Sequence, residues 1–307
     1  MDIGVLLIGY RRTEAIKNRL REILKNLDNS PQNFSFQIFI SIDGSDQDTK
    51  VKMLKIIFDF EKTNSIKLKT RILDSNLGLS EHITTAVSWV LEKVSNIIVI
   101  EDDIQISNYL LPAMSKQLSR FSNTSKPVLI CGYSPLNPKK NLNYFNFWRQ
   151  SQYFSVWGWA SNKIAWEKYK LKLEQNKIEI EMNSSSKFLD LSSHKKQTWI
   201  KRFEKVAHFP DLTWDIQMQY AVFKHNIKVL QPVFTLVNNL GFNDPLAAHT
   251  KEKMPRWMRV NSVANRQIQI RILILGFAKI LDFINSSTFI GDSRTFHFWQ
   301  KIRTSNR

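Results

Sequence analysis

Three consecutive acidic residues, Glu101, Asp102 and Asp103, follow the apolar run at residues 96–100. Adjacent carboxylates after a buried strand repel one another unless a cation or hydrogen-bond donors neutralise them. Oxygen ligands with no His or Cys nearby favour Mg²⁺ or Mn²⁺ over zinc, and such ions commonly bridge the phosphates of a nucleotide. The triplet therefore indicates a divalent-metal site, and the alternative is a solvated turn that holds three charges.

A second acidic turn, Asp43-Gly44-Ser45-Asp46, follows the apolar run at residues 36–42. The usual phosphate-binding loops are missing from the sequence: there is no GxGxxG after the first apolar run and no GxxxxGK[ST] anywhere. A dinucleotide fingerprint and a P-loop are therefore not supported. A bound anion would have to be held by metal and basic side chains.

The elements that must position these acids alternate between strand and helix patterns. Short apolar runs bounded by turn residues predict strands at 3–8, 36–42, 68–73 and 96–100. Helical spacing predicts helices at 16–27 after a Thr13 cap, at 51–60, and at 80–94. This β-α-β-α-β-α-β order predicts an α/β fold with an open, mostly parallel sheet flanked by helices. Such sheets bind ligands at the carboxyl ends of their strands, where both acidic turns lie.

The 307-residue chain has a net charge of +17, which usually indicates an anionic partner such as nucleic acid, a membrane surface or a phosphorylated substrate. With 43% hydrophobic residues it can bury a large core, which excludes wholesale disorder. Its single cysteine, Cys131, excludes an intramolecular disulfide and fits a reducing cytosol.

The positive charge is unevenly distributed. Residues 1–103 have a net charge of −1, residues 104–250 of +10 and residues 251–307 of +8. Eight of the nine tryptophans also lie beyond residue 147. Because the part that contains both acidic turns is not basic, we expect no nucleic acid partner there.

The order of several motifs resembles the nucleotide-sugar half of GT-A fold glycosyltransferases, and most closely bacterial sugar transferases related to N-acetylglucosaminyltransferase I. The matching blocks span about residues 3–250. They are Gly9-Tyr10-Arg11-Arg12, Ser41-Ile42-Asp43-Gly44-Ser45, Asn76-Leu77-Gly78-Leu79, Val99-Ile100-Glu101-Asp102-Asp103-Ile104, Ser155-Val156-Trp157-Gly158-Trp159-Ala160 with Trp166, Thr213-Trp214-Asp215, Pro232 followed by Asn238-Asn239-Leu240-Gly241-Phe242, and Ala248-His249-Thr250.

The resemblance implies a domain organisation and a set of donor-binding residues. Residues 1–104 would form the nucleotide-sugar half, 105–250 the acceptor-binding and catalytic half of the same domain, and 251–307 a basic C-terminal helical tail. Asp103 would ligate Mn²⁺ or Mg²⁺ bridging the two phosphates of the donor. The remaining donor-binding residues would be Asp43 at the base or ribose, Arg12 or Arg11 at the base or diphosphate, Glu101 and Asp102 at the sugar and ribose, and Gly44 and Asn76 beside them.

The resemblance also implies a catalytic base. Asp215 would deprotonate the acceptor hydroxyl, with Asp211 in reserve. A helix cap is the alternative role for Asp215, and the eukaryotic relatives have a second acid where this chain has Ile216. His249 would complete the metal site, as a late histidine does in several GT-A enzymes, or would be an ordinary surface or core histidine.

An aromatic stretch at residues 153–159 fits either sugar stacking or core packing. Trp157 and Trp159 are predicted to share one strand face around Gly158, with one ring in the core and the other lining the site. Trp214 would lie beside them at the acceptor. By contrast, His82 is expected on a polar helix face with no functional neighbours.

The tail pattern at residues 266–284 interleaves large apolar residues with Arg271 and Lys279. This fits an interfacial helix drawn to anionic lipid or, alternatively, a helix packed on the domain with a solvated basic face. No apolar run approaches the ~20 residues of a membrane span. We therefore expect a cytoplasmic protein, peripheral on the inner face of the cell membrane if the tail binds lipid.

Together these features predict a metal-dependent, inverting glycosyltransferase of hexosyl or N-acetylhexosaminyl type. It would transfer a sugar from a nucleotide-diphosphate donor, with UDP favoured, to a saccharide or lipid-linked saccharide in surface polysaccharide synthesis. Two alternatives remain: a two-metal phosphoryl-transfer enzyme that acts on nucleic acid, and a non-catalytic carbohydrate-binding scaffold.

Overall fold

The computed structural model describes residues 1–135 and 148–242, together with Asp282. The strands are β1 (Asp2–Gly9), β2 (Ser35–Ile42), β3 (Lys69–Ile72), β4 (Asn96–Glu101), β5 (Ile104–Ile106), β6 (Val128–Cys131), β7 (Trp148–Ser151), β8 (Trp159–Asn162), β9 (Lys228–Pro232) and β10 (Val237–Asn239). The helices are α1 (Thr13–Asp28), α2 (Gln47–Asn64), α3 (Leu79–Leu91), α4 (Leu110–Ser119), α5 (Lys163–Trp166), α6 (Ile178–Asn183), α7 (Ser186–Leu189), α8 (Ser193–His208) and α9 (Asp215–Lys224). Two 3₁₀ turns span Gln175–Lys177 and Pro210–Leu212.

Eight strands form one sheet in the order β3-β2-β1-β4-β8-β6-β9-β7. Strands β3, β2, β1 and β4 are parallel, as are β6 and β9, whereas β8 and β7 pair antiparallel with their neighbours. Strands β5 and β10 form a separate antiparallel pair. The predicted α/β class, the open, mostly parallel sheet and the alternating order of the first third are confirmed.

The strand sequences explain why the sheet lies in the middle of the molecule. Strands β1 and β4 are almost entirely buried, as expected for parallel strands covered by helices on both faces. One core cluster packs α1 and α4 on one face, and a second packs α3 and α9 on the other. The two acidic turns follow β2 and β4, which both pair with β1 in this sheet.

The start of α1 differs from the prediction, and the start of α2 explains the presence of Asp46. Thr13 is not the cap of α1: it is the first helical residue, and the N-cap residue Arg12 makes no capping hydrogen bond through its side chain. Asp46 caps α2, since its Oδ1 accepts a hydrogen bond of 2.9 Å from the Thr49 backbone N–H. Asp46 therefore serves the helix that follows the second acidic turn.

The tryptophan-rich middle of the chain forms aromatic packing around α8 and α9. Trp199 and Phe203 of α8 pack against Phe223 of α9 in a third core cluster. This packing fixes α9, and with it the residue at its N-terminus, Asp215. The aromatic residues thus contribute to the position of a predicted site residue.

The predicted C-terminal tail lies outside the described residues except for Asp282, which is helical. Its carboxylate accepts a hydrogen bond of 2.9 Å from Ser151 Oγ and forms an ion pair with Arg149, a buried residue of β7. Within residues 1–135 and 148–242, no helix combines the length and the apolar character needed to cross a membrane.

Candidate active site

A cavity of about 390 Å³ lies at the carboxyl ends of β1, β2 and β4, next to the start of α9. We call it the acidic cavity because its polar lining is dominated by carboxylates. The predicted site residues that line it are Arg11, Arg12, Asp43, Asn76, Glu101, Asp102, Asp103, Trp157, Trp214 and Asp215. Gly44, Asp211, Gly158 and Trp159 are described but do not line it.

Both carboxylate oxygens of Asp102 contact other residues of the protein. Its Oδ1 is 2.6 Å from Nη1 of Arg12, and its Oδ2 accepts a hydrogen bond of 3.3 Å from the Tyr10 backbone N–H. The same guanidinium nitrogen lies 3.6 Å from Oδ2 of Asp103. Asp102 thus ties the turn after β1 to the turn after β4, and its predicted contact with sugar or ribose stays a prediction.

Glu101 has a pKa well above the ordinary value of a glutamic acid. Burial is the largest cause, and the negative charges of Asp103, Asp102 and Asp215 raise the pKa further, while Arg12 opposes them. These four acids therefore share one electrostatic environment that resists additional negative charge and favours a cation.

The residues around Asp103 fit a divalent ion that also binds a diphosphate. Among the residues that the structure describes, no three His, Cys, Asp or Glu side chains are grouped so as to hold a metal by themselves. Mg²⁺ does not need three, because it keeps several waters and binds one or two carboxylates plus substrate phosphates. Asp103, with its side chain 18% exposed at the cavity, can supply such an oxygen ligand. His249 lies outside the described residues.

Gly241 was part of a recognised motif but had no predicted role, and the structure places it against Asp103. A Cβ at this position would lie 2.3 Å from Oδ2 of Asp103. The Asp103 backbone carbonyl accepts a hydrogen bond of 2.8 Å from the Leu240 N–H, and Asn239 Oδ1 accepts one of 2.7 Å from the Gly241 N–H. The segment after β10 thus supports the acidic turn, and a side chain at residue 241 would displace the Asp103 carboxylate from this position.

Asp43 holds the loop that precedes α3. Its two carboxylate oxygens accept hydrogen bonds from the backbone N–H groups of Gly44 at 2.9 Å, Leu77 at 2.9 Å and Gly78 at 3.2 Å. Asn76 lies in the same loop, where its Oδ1 accepts from the Gly78 N–H at 2.7 Å. Asp43 therefore shapes the cavity wall, and its contact with a base or ribose remains a prediction.

Gly44 allows the backbone of this loop to lie close to the turn that follows β2. A Cβ on Gly44 would lie 2.1 Å from the carbonyl carbon of Ser75 and 2.4 Å from its oxygen. Gly44 is buried and lies outside the cavity lining, so its role is to bring Asn76 to the cavity rather than to contact a ligand.

We expect Gly44→Ala to lower the free energy of unfolding by about 1–3 kcal/mol, because the backbone of Ser75 must move away from the added methyl group. Urea unfolding measures this difference. Ser45→Ala, the matched change at the next residue, should stay within about 0.5 kcal/mol of wild type. Equal unfolding midpoints for Gly44→Ala and wild type would contradict the close approach.

His82 is buried, and the expectation of a polar helix face without functional neighbours is wrong. Its Nε2 lies 2.9 Å from Oγ of Ser41, and Arg71 Nε donates to the same oxygen at 3.2 Å. His82 also lines the acidic cavity. The prediction failed because α3 packs its first turn against the end of β2, a contact that the helical pattern of α3 does not reveal.

Burial lowers the pKa of His82 from 6.5 to about 4; the charge of Arg71 lowers it too, whereas Asp43 opposes the shift. The unfolded state therefore binds more protons than the folded state between about pH 4 and 6.5. We expect stability to fall by roughly 2–3 kcal/mol as pH drops through that window. Thermal unfolding measured against pH tests this.

His82→Gln should remove most of this slope, because glutamine can keep a hydrogen bond to Ser41 without titrating. His194→Gln, a change at an exposed histidine of α8, is the matched control and should leave the slope unchanged. Identical slopes in wild type and His82→Gln would show that His82 is not the titrating group.

Trp214 is the N-cap residue of α9, whereas Asp215 is the first helical residue and lines the acidic cavity. Asp215 Oδ1 accepts a hydrogen bond from the Thr213 hydroxyl. The alternative that Asp215 serves as a helix cap is therefore not observed. Asp211, the reserve candidate, is exposed and lies outside the cavity lining, since the 3₁₀ turn directs it to solvent.

The tryptophans divide between the cavity and the core. Trp157 is partly exposed, lines the cavity and packs edge-on against Tyr133 at 4.6 Å between ring centroids. Trp159 is fully buried, so of the two rings predicted to divide between core and site, Trp159 is the one in the core and does not stack on a sugar. The two rings do not share a strand face, because Gly158 has φ +56 and β8 begins only at Trp159. Trp214 is 2% exposed and touches the cavity from the core.

Arg11 and Arg12 differ in their surroundings. The Arg11 side chain is exposed, and its guanidinium lies 4.6 Å above the ring centroid of Tyr10 at the cavity. Arg12 is fixed among the carboxylates by Asp102 and Asp103. Arg11 is therefore the better placed of the two to reach a ligand from the solvent side.

Comparison with known proteins gives structural neighbours only. No family model and no curated protein matches the sequence. TarS of S. aureus aligns at 14% identity over 68% of this chain with a TM-score of 0.40, and the aligned part spans 44% of that chain. A structure of TarS 1-349 in complex with UDP aligns at 13% identity with a TM-score of 0.41. The alignment covers 68% of this chain and 72% of that chain. The mannosyltransferase PcManGT from Pyrobaculum calidifontis, in complex with GDP-Man and Mn2+, aligns at 10% identity with a TM-score of 0.41. The alignment covers 72% of this chain and 69% of that chain.

Proposed function

We propose that this protein is a metal-dependent glycosyltransferase that moves a sugar from a nucleotide-diphosphate donor to a hydroxyl group of an acceptor saccharide. One observation carries the proposal. At the carboxyl edge of the sheet, a single cavity brings together the acidic turn Glu101-Asp102-Asp103, the carboxylate of Asp215 and the partly exposed ring of Trp157. A metal-dependent glycosyltransferase needs ligands for the metal that binds the diphosphate, a general base, and an aromatic ring that can stack on the sugar. This cavity has a candidate for each.

The donor side of the cavity comprises the ends of β1, β2 and β4. Asn76 and the loop held by Asp43 form one wall, and Arg11 reaches the same space from solvent. Asp103 would hold Mn²⁺ or Mg²⁺, which when bound stabilises the negative charge that develops on the diphosphate as its bond to the sugar breaks. UDP is the favoured nucleotide.

Asp215 is proposed as the general base on the acceptor side. It would take the proton from the acceptor hydroxyl as that oxygen bonds to the anomeric carbon, while the electron pair of the breaking bond goes to the diphosphate. The Thr213 hydroxyl holds one carboxylate oxygen, which orients the other. The acceptor oxygen attacks the anomeric carbon directly, with one base and no protein nucleophile in the proposed mechanism. The configuration at that carbon is therefore inverted.

The excess of basic residues is proposed to serve binding of the acceptor and association with the membrane. The donor half has a net charge of −1, whereas the later parts have +10 and +8. This fits an anionic or lipid-linked saccharide acceptor, of the kind used in surface polysaccharide synthesis, at the cytoplasmic face of the membrane. The transferred sugar is proposed to be a hexose or an N-acetylhexosamine.

The phosphoryl-transfer alternative has less support. A two-metal site of that kind would use Asp43 as a ligand, but its carboxylate oxygens already accept three backbone N–H groups. The non-catalytic alternative differs from the proposal in predicting sugar binding without metal-dependent binding of a nucleotide sugar.

A thermal-shift panel of nucleotide diphosphates and nucleotide sugars, with and without Mn²⁺, tests the proposal. A ligand at 100 times its Kd adds about 2.7 kcal/mol to the stability of the folded state. We expect one base to raise Tm only when Mn²⁺ is present. No shift with any nucleotide, or equal shifts with and without metal, would contradict the proposal.

A further inference from the structure

A second cavity, of about 550 Å³, opens where β6 and β9 begin. These strands are parallel, with Val128 opposite Lys228 at their starts. Strand β6 also runs in the same direction as β4, since both pair antiparallel with β8. The second cavity therefore lies at the amino ends of its strands, on the edge of the sheet opposite the acidic cavity.

Basic side chains dominate the lining of this second cavity, which we call the basic cavity. They are Arg120, Lys126, His225 and Lys228. Among the described residues, none of those that line it is an aspartate or glutamate. Its volume falls in the range of ligand pockets, and its charge is opposite to that of the acidic cavity.

The surroundings of the basic cavity add to its positive potential. Lys187 Nζ donates to the Ile227 carbonyl oxygen. Burial lowers the pKa of Lys187 to about 8; Asp282 opposes this shift, and the charge of Lys228 adds to it. Burial also lowers the pKa of His225, and Lys224 is the next cause. Burial is the largest cause of both shifts; the neighbouring lysines add to them, whereas Asp282 and Glu181 oppose them.

Two of the basic groups are held in place before any ligand arrives. Arg120 Nη1 donates to Gln117 Oε1 at 2.8 Å. The Lys228 ammonium lies 5.5 Å from the ring centroid of Phe121, within the range of a cation–π interaction. Phe121 and Leu230 give the cavity an apolar side next to these charges. Groups that are already ordered lose less entropy when they bind.

We propose that the basic cavity binds a phosphate-bearing ligand, independently of the acidic cavity. The planar guanidinium of Arg120 suits two phosphate oxygens, and Lys126 and Lys228 supply point charges. The apolar side fits a non-polar group attached to the phosphate. The ligand is either a soluble phosphorylated compound or the phosphate headgroup of a membrane lipid. This site accounts for part of the charge surplus of residues 104–250.

Two probes test the proposal on the full-length protein in metal-free buffer at constant ionic strength. Calorimetry measures binding of inorganic pyrophosphate, and co-sedimentation measures binding to phosphatidylcholine vesicles with and without phosphatidic acid. The test variant combines Arg120→Gln, Lys126→Gln and Lys228→Gln, all at exposed residues. The control variant removes the same number of charges from the exposed side of α2: Lys52→Gln, Lys55→Gln and Lys62→Gln.

We expect wild type to bind at least one probe and the test variant to bind it about tenfold or more weakly, while the control keeps wild-type affinity. Loss of pyrophosphate binding in the test variant identifies a soluble ligand, and loss of phosphatidic acid binding alone identifies a lipid headgroup. The proposal is overturned if wild type binds neither probe, if the test variant binds like wild type, or if both variants lose affinity equally.

Discussion

Asp103→Ala is expected to reduce sugar transfer by about 10³-fold or more and to remove the Mn²⁺ dependence of nucleotide binding. The variant loses the proposed metal ligand, and a metal at a leaving diphosphate contributes several kcal/mol to stabilisation of the transition state. Transfer and donor hydrolysis are measured with the nucleotide sugar that raises Tm, and binding is measured by calorimetry with and without Mn²⁺.

The fold should survive this change. The Asp103 side chain lies at the cavity, and its charge is the second cause, after burial, of the raised pKa of Glu101. Its removal therefore relieves repulsion, and Arg12 keeps its 2.6 Å contact with Asp102. Asp74→Ala, at a carboxylate whose side chain is 93% exposed, is the control and should retain activity. Full activity of Asp103→Ala, or of wild type in excess chelator, would refute the proposed role of metal.

Asp215→Asn is expected to lower kcat by about 10²–10⁴-fold with little change in donor affinity. An amide cannot take the proton from the acceptor hydroxyl, and a positioned general base contributes a rate factor of about that size. Donor binding should persist because Asp215 belongs to the start of α9, whereas the proposed donor side is formed by the ends of β1, β2 and β4. Steady-state kinetics and donor titration by calorimetry separate the two quantities.

The structure offers a close control for this change. Asp211 precedes Asp215 by one short turn and is exposed outside the cavity, so Asp211→Asn should retain wild-type kcat. Asp215→Asn should remain folded because the Thr213 hydroxyl can donate to the amide oxygen, at a cost of about 0.3–1 kcal/mol for the charge lost at the helix N-terminus. If kcat of Asp215→Asn stayed within about twofold of wild type, another group would have to be the base.

The placement of the metal candidate also depends on a residue without a side chain. Gly241 leaves the space that the Asp103 carboxylate occupies, and Asn239 holds the Gly241 backbone. The sequence identified this segment as a motif but gave it no role, because no local pattern links residue 241 to residue 103. Only the antiparallel pairing of β10 with β5 brings them together.

Much of the first third could be predicted because its signals are local. Apolar runs, helical spacing and acidic turns specify strands, helices and strand ends within windows of ten or so residues. The predicted strands at 3–8 and 96–100 correspond to β1 and β4, and their order along the chain predicted a parallel sheet. Parallel strands end at one edge, so the sequence already placed Asp43 and the Glu101-Asp102-Asp103 turn near one another.

The sequence by itself thus determined the α/β sheet, the acidic edge and the uneven distribution of charge. The tertiary structure decided which side chains face the cavity. It paired Arg12 with Asp102 across 90 residues of sequence and His82 with Ser41 across 41, and it buried Trp159 while leaving Trp157 at the cavity. These outcomes depend on how distant elements pack and on the positive φ of Gly158. Periodicity within one element carries no information about its packing partners.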